Sequence, residues 1–439
     1  MLRNSTSLSS FPVQPGRGNP GGLSRLIKSV DVAARGSLTT DQYIQNDKKA
    51  FTTLLMLITA RALARGETIN LDANEELLRL IPVLCAYFSH QELIELVGEK
   101  VTTRMLELQH LQVVQNLILE QELQNVLRAF NETHISHLLF KGPALAYTFY
   151  PEAGLRTYHD IDMLIRPDDL PRAHTVLLKM GYKFYEEYRS NVTDSKRAGF
   201  NYSLARSGSQ FEVSIELHTA PHPSEIGTDF AVESLWLMAQ PIKVLGESTL
   251  TLHPVDHLLY LCWHYRFHGF TRLLWLYDLV VMLRAIGQEL DWLELVHAAH
   301  RQRLATTLYY CLSWCRDLFD VAIPAEVFVR IHPPWVCRLI VERIAMPDPV
   351  EMLALARWQS RRIMARRAMV DSTTGLIRAA IQALFPSPSS MGRRYMGKSA
   401  LPLKFYFLYY FTHPWTTIAK GSRYLLIHRE KKGHGQGSD

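Results

Sequence analysis

The spacing of apolar residues changes twice along the chain. From Asp41 to Asn131 apolar positions recur every three or four residues, as in Met105, Leu108, Leu111, Val114, Leu117 and Leu119. That spacing predicts a helical region. From about 132 to 252 the period shortens. Ile135–Phe140 is a brief apolar run, Pro143–Phe149 has a helical pattern, and Asp160–Ile165 is β-branched and alternating. Pro167-Asp168-Asp169 predicts a helix start and Gly181 its end, because acids suit a first turn and glycine a position just past the last one. Strands are predicted at Tyr182–Tyr188, Phe200–Ala205 and Ile242–Leu252. Phe211–His218 is the clearest, with Phe211, Val213, Ile215 and Leu217 apolar between Glu212, Ser214, Glu216 and His218. After His253-Pro254 the helical period returns and runs to about Leu384.

This predicts an α+β chain with five parts. Residues 1–40, rich in Ser, Gly and Pro, are expected to be poorly ordered; 41–131 form a helical arm. A mixed-sheet domain spans 132–252, a helical domain 253–385, and a basic aromatic tail 386–439. At 439 residues with 47% hydrophobic and 21% charged residues, a wholly disordered chain is excluded. Five scattered cysteines argue against a disulfide framework. Cys311 and Cys315, four apart without a second pair, read as two small apolar residues. The first residues lack the apolar core of a secretory signal, and no window reaches the roughly 18 apolar residues of a membrane span. A cytoplasmic location is expected.

Charge is unevenly distributed. Glu351 to Asp439 holds 15 Lys/Arg against 4 Asp/Glu, a balance of +11, while the rest of the chain carries −5. Such a segment suits an anionic membrane surface or nucleic acid, or is a solvated helix face and tail.

The candidate chemistry lies in the sheet region. Asp160 and Asp162 are two apart on a predicted strand, so their carboxylates share a face. Like charges held that close repel, and a hard divalent cation such as Mg²⁺ or Mn²⁺ offsets the repulsion. Glu216, on the polar face of another strand, supplies a third carboxylate if the two strands are neighbours. Lys141-Gly142 stands at a strand-to-helix junction, where lysine offers a charge for phosphate. His264 and His268, four apart near Arg266 and Arg272, lack the further ligand a zinc site needs and read as phosphate contacts or as support for them. Asp278 is expected to pair with Arg272 or another basic group, and Trp275 to lie in the core.

The ordered set Leu139-Phe140-Lys141-Gly142-Pro143-Ala144-Leu145, Tyr150-Pro151, Gly154-Leu155-Arg156, Asp160-Ile161-Asp162-Met163-Leu164, Gly181-Tyr182, Glu216-Leu217-His218, Leu261-Cys262-Trp263-His264 and Leu274-Trp275-Leu276-Tyr277-Asp278-Leu279 resembles the uncharacterised nucleotidyltransferase family. That family belongs to the DNA polymerase beta-like nucleotidyltransferase superfamily. The resemblance implies a small mixed sheet carrying metal-binding acids and a helical domain closing over a nucleotide. It implies that Asp160, Asp162 and Glu216 hold Mg²⁺ (or Mn²⁺), with Glu216 as general base. It implies that Lys141, Gly142 and His264 contact an NTP, and that Arg156 holds the pyrophosphate or braces Asp160. The wider superfamily has Gly-Ser at the phosphate turn, and here the turn is Lys141-Gly142. The implied reaction moves a nucleoside monophosphate from an NTP to an unknown acceptor. The alternative is a catalytically silent nucleotide-binding or scaffold protein that meets RNA or an anionic membrane through residues 351–439.

Overall fold

A computed structural model describes residues 40–64, 66–67, 69–72, 74–184, 199–205, 212–221, 231–270, 272–342, 366–386 and 410–416. The expectation for residues 1–40 therefore lies outside the described residues, as do 185–188 of the Tyr182–Tyr188 strand and most of the tail. Residues Asn46–Asp439 form one unit; of the other, Met1–Gln45, only the start of the first helix is described.

Among the described residues four helices precede the sheet: α1 (Thr40–Leu63), α2 (Glu75–Tyr87), α3 (His90–Val97) and α4 (Glu99–Glu132). Caps fix their ends. Asn74 accepts from the Leu77 amide, and Ser89 with Glu92 forms a reciprocal capping box. The sheet region holds β1 (His137–Leu139), α5 (Gly142–Thr148), β2 (Asp160–Ile165), α6 (Leu170–Lys179), β3 (Lys183–Phe184), β4 (Gly199–Ala205), β5 (Glu212–His218), α7 (Val232–Leu237), β6 (Gln240–Val244) and β7 (Glu247–Thr251). Then come α8 (Pro254–Phe267), α9 (Leu273–Ile286), α10 (Trp292–Arg301), α11 (Ala305–Phe319), α12 (Ala325–Arg330), α13 (Trp335–Ile340) and α14 (Thr373–Leu384).

The seven strands lie in the order β3-β4-β5-β2-β1-β7-β6. β2 pairs with β5 in parallel and with β1 antiparallel, so the sheet is mixed, as expected. Strand alternation gives it two faces. Leu139, Ile161, Met163, Ile165, Val213, Ile215 and Leu217 share one core with Leu119, Leu123, Val126, Leu127 and Phe130 of α4 and Ala173 and Leu177 of α6. Leu138, Phe140 and Leu164 instead join the core built from α8, α9 and α11 together with α1 and α2. Polar residues on this second face therefore look toward the helices.

One strand expectation is corrected. The predicted strand Ile242–Leu252 is a hairpin, β6–β7, turned by Leu245 at φ 52° and Gly246 at φ 83°. Two consecutive positive-φ residues match the twist of the flanking strands. Leucine is rarely found in that conformation, so the sequence carries half of the usual turn signal. Cys311 and Cys315 are buried and unbridged, in keeping with the apolar reading. Among the described residues, no helix is long and apolar enough to cross a membrane.

Candidate active site

Register places the acids. In the β2–β5 pair Asp160 lies opposite Ser214 and Asp162 opposite Glu216. His218, two residues beyond Glu216, stays on the same face. Burial along β5 alternates, with Val213, Ile215 and Leu217 buried and Ser214, Glu216 and His218 half-buried, as a strand with one polar face requires. In the antiparallel β1–β2 pair Leu139 lies opposite Met163. That register sets Phe140 opposite Asp162, and Lys141, past the end of β1 where strand alternation has stopped, turns its side chain to the same acid.

The contacts follow. Lys141 Nζ donates to Asp162 Oδ1 at 2.6 Å. His218 Nε2 donates to the same oxygen at 2.9 Å and lies 3.4 Å from Glu216 Oε2. One ligand atom each from Asp162, Glu216 and His218 lies within 4.8 Å of the others, a grouping that fits a divalent cation. The expected trio thus meets on one face, but the tight cluster contains His218, and Asp160 stands beside it. Parity on β5 was the signal for His218: the rule that pairs Asp160 with Asp162 also pairs Glu216 with His218.

The electrostatics match this geometry. Burial would raise the Asp162 pKa, but Lys141 and His218 outweigh it and hold the carboxyl below its ordinary value. Asp160 is pushed up to about 6, first by burial and then by the Asp162 charge; Lys141 and Arg79 of α2 act against the rise. Burial disfavours charge on Lys141 and His218, yet the neighbouring acids keep both above their ordinary values. Arg79 was not among the expected site residues, because nothing in its helix marks it as facing the sheet.

The structure places four further residues. Gly142 is buried: a Cβ built there would lie 2.6 Å from the Tyr158 Cβ, so glycine lets α5 start against the segment leading to Asp160. Arg156 is also buried, its Nε and Nη2 bonded to the two oxygens of Asp278 at 2.6 and 2.8 Å. That guanidinium braces the approach to Asp160. Asp278 pairs with Arg156, and Trp275 is half-buried rather than core, set 4.5 Å from His264 and 4.8 Å from His268 between ring centroids.

His264 reaches the pocket through rings. His218 lies 5.4 Å from Phe140, Phe140 5.1 Å from Tyr260, and Tyr260 stacks on His264 at 5.9 Å. Burial, then the Lys141 charge, hold His264 well below its ordinary pKa. His257 of α8 donates from Nε2 to the Phe140 carbonyl at 3.1 Å and so fixes the end of β1 just before Lys141.

Residues 76–320, more than half of the chain, match the family described as uncharacterised nucleotidyltransferase. The chain belongs to that family. No curated protein matches it. A crystal structure of an antigenic nucleotidyltransferase-like protein from Paracoccidioides brasiliensis is similar at 14% identity, with 48% of this chain and 96% of that one covered and a TM-score of 0.27.

Proposed function

We propose that this family member is a metal-dependent nucleotidyltransferase that moves a nucleoside monophosphate from an NTP to an acceptor hydroxyl or amine. The acceptor attacks the α-phosphorus, the bond from that phosphorus to the bridging oxygen breaks, and pyrophosphate leaves. The observation that carries the reading is the register pairing of Asp162 with Glu216, with Asp160 on the same face. Asp162, Glu216 and His218, with Asp160 beside them, would hold Mg²⁺ or Mn²⁺, which neutralises charge on the reacting phosphate. Glu216, whose side chain keeps 25% exposure against 2% for Asp162, is the carboxylate placed to take the acceptor's proton. Lys141 offers its charge to the phosphates. Gly142 contributes the turn that carries Lys141, His264 supports the pocket wall, and Arg156 positions the segment entering β2.

Purified protein given each NTP with Mg²⁺ or Mn²⁺ is expected to release pyrophosphate, and Asp162→Asn and Glu216→Gln to abolish the release. Release unchanged in both variants refutes the assignment. A second reading is nucleotide binding without turnover. It is favoured by the 2.6 Å Lys141–Asp162 pair, which already satisfies the oxygen a cation would take. Saturable binding of Mn²⁺–NTP with no pyrophosphate release from any NTP over a broad acceptor screen would support it.

A further inference from the structure

We propose that helices α13 and α14 and the helical residues 410–416 form a docking surface for the headgroup layer of an anionic lipid bilayer. This surface is separate from the carboxylate site, and its test does not depend on nucleotidyl transfer.

Three helical segments share one pattern. α14 starts from a fixed point: the Asp371 carboxylate accepts from the Ala305 and Thr306 amides at 2.9 and 2.7 Å, and Ser372 caps the helix by accepting from the Gly375 amide. Leu376 then turns inward and packs against the larger core. Ile377, Ile381 and Phe385 are spaced by four and so make one stripe, and each keeps more than half of its surface exposed. Residues 410–416 are tied to the end of this helix. His413 Nε2 donates to the Ala383 carbonyl at 3.1 Å, and the Tyr410 hydroxyl donates to the Pro386 carbonyl. His413 is fully buried, while Phe411 and Trp415, two residues to either side of it, lie on the reverse of the turn at 70% and 67% exposure. α13, which packs against α14, repeats the pattern: Cys337 is buried, and Trp335 and Leu339, two residues to either side, are exposed.

Clustered apolar surface of this kind marks a contact site. Charge tells what it contacts. From Ser372 to Arg429 the chain has eight Lys/Arg, ten Phe, Tyr and Trp, and no Asp or Glu. Arg378 is exposed beside the α14 stripe. A second copy of the chain would set cation against cation. A single-stranded nucleic acid would meet the charge and stack on the rings, but it offers nothing to Leu339, Ile377 and Ile381. An anionic bilayer surface meets both features. Its headgroups attract Lys and Arg, its acyl boundary takes aliphatic side chains, and the level between them suits aromatic rings. α14, with 12 residues and one apolar stripe, suits the plane of that interface and not a span.

Flotation of the full chain tests this, with phosphatidylcholine vesicles containing no phosphatidylserine or about 30 mol% of it. Wild-type protein is expected to float with the anionic vesicles, to stay behind with the neutral ones, and to bind less as salt rises. Ile381→Ser and Trp415→Ser, on two different segments, are each expected to weaken binding about tenfold, and Arg378→Gln about fivefold. Leu117→Ser, at a 60% exposed position on α4, is expected to bind as wild type does. Urea midpoints equal to wild type are expected for all four variants, because these side chains are exposed. Wild-type protein that fails to float with anionic vesicles, or Ile381→Ser and Trp415→Ser that float as wild type does, overturns the docking surface. Equal flotation with neutral vesicles overturns the anionic assignment. Tighter binding of a single-stranded RNA, sensitive to Trp415→Ser and not to Ile381→Ser, gives the surface to nucleic acid. Self-association in sedimentation that Ile381→Ser relieves gives it to a second copy. Either result overturns the lipid assignment.

Discussion

The strongest structural prediction concerns the buried pair beneath the site. Asp278 Oδ1 accepts from Arg156 Nε at 2.6 Å and from the Tyr150 hydroxyl at 2.8 Å, and Oδ2 accepts from Arg156 Nη2 at 2.8 Å. Arg156 also donates to the Thr157 carbonyl. The two side chains keep 6% and 0% exposure, so water cannot replace either partner. Asp278→Leu removes both acceptors facing the guanidinium, leaving a buried uncompensated charge. The expected cost is about 3–5 kcal/mol, and Arg156→Met should cost a similar amount. Replacing both, Arg156→Met with Asp278→Leu, removes the charges together. It leaves mainly the Tyr150 hydroxyl without its acceptor, at about 1–3 kcal/mol. The double variant should therefore be far more stable than the sum of the singles predicts, with a coupling of roughly 5 kcal/mol. Urea unfolding followed by tryptophan fluorescence measures all four proteins. Additive costs, or an Asp278→Leu cost below about 1 kcal/mol, would refute the buried-pair account. Mn²⁺–NTP binding retained by the double variant separates the bracing role of Arg156 from a pyrophosphate contact.

Two further outcomes follow from single side chains. Because an imidazole nitrogen favours later divalent metals over Mg²⁺, wild-type protein should bind Mn²⁺ and Co²⁺ more tightly than Mg²⁺, and His218→Ala should narrow that preference in calorimetry; an unchanged preference removes His218 from the ligand set. Burial holds His257 down to about 4 from an ordinary 6.5. Between those values the unfolded chain takes up the proton and the folded one resists, so the contribution to stability is full above pH 6.5 and falls away as the pH drops toward 4. The loss is about 3 kcal/mol, and His257→Gln should flatten the acid limb of the urea-midpoint profile. An equal limb in wild type and variant would contradict this.

What was legible in the sequence was what depends on local period. The alternation of Phe211–His218 gave β5 and its pocket face, and Asp-x-Asp gave a shared face on β2. The β2–β5 register then followed a topology that the family resemblance implied. What was not legible depends on long-range packing or on an unusual backbone. Arg156 and Asp278 are 122 residues apart, and no local pattern joins them. Gly142 reads like a ligand-facing turn, and only the approach of Tyr158 shows that it is a packing position. Leu245 conceals a hairpin because the conformation it adopts is one leucine rarely takes. His218 was within reach of the parity rule.

The charges explain why this pocket can fold before it binds anything. Three carboxylates, Asp160, Asp162 and Glu216, gathered on one sheet face would repel one another. Lys141, which follows the end of β1, and His218, brought there by β5 parity, offset part of that repulsion from within the chain. A divalent cation at Asp162 must compete with Lys141 for the same oxygen, and a displaced lysine is costly unless it meets another anion. In the proposed reaction the phosphates of a nucleotide would be that anion. Cation and nucleotide therefore each remove the penalty the other faces, so by linkage each should raise the other's affinity. In the proposed reaction Lys141 would thus make metal binding conditional on the substrate that the metal serves.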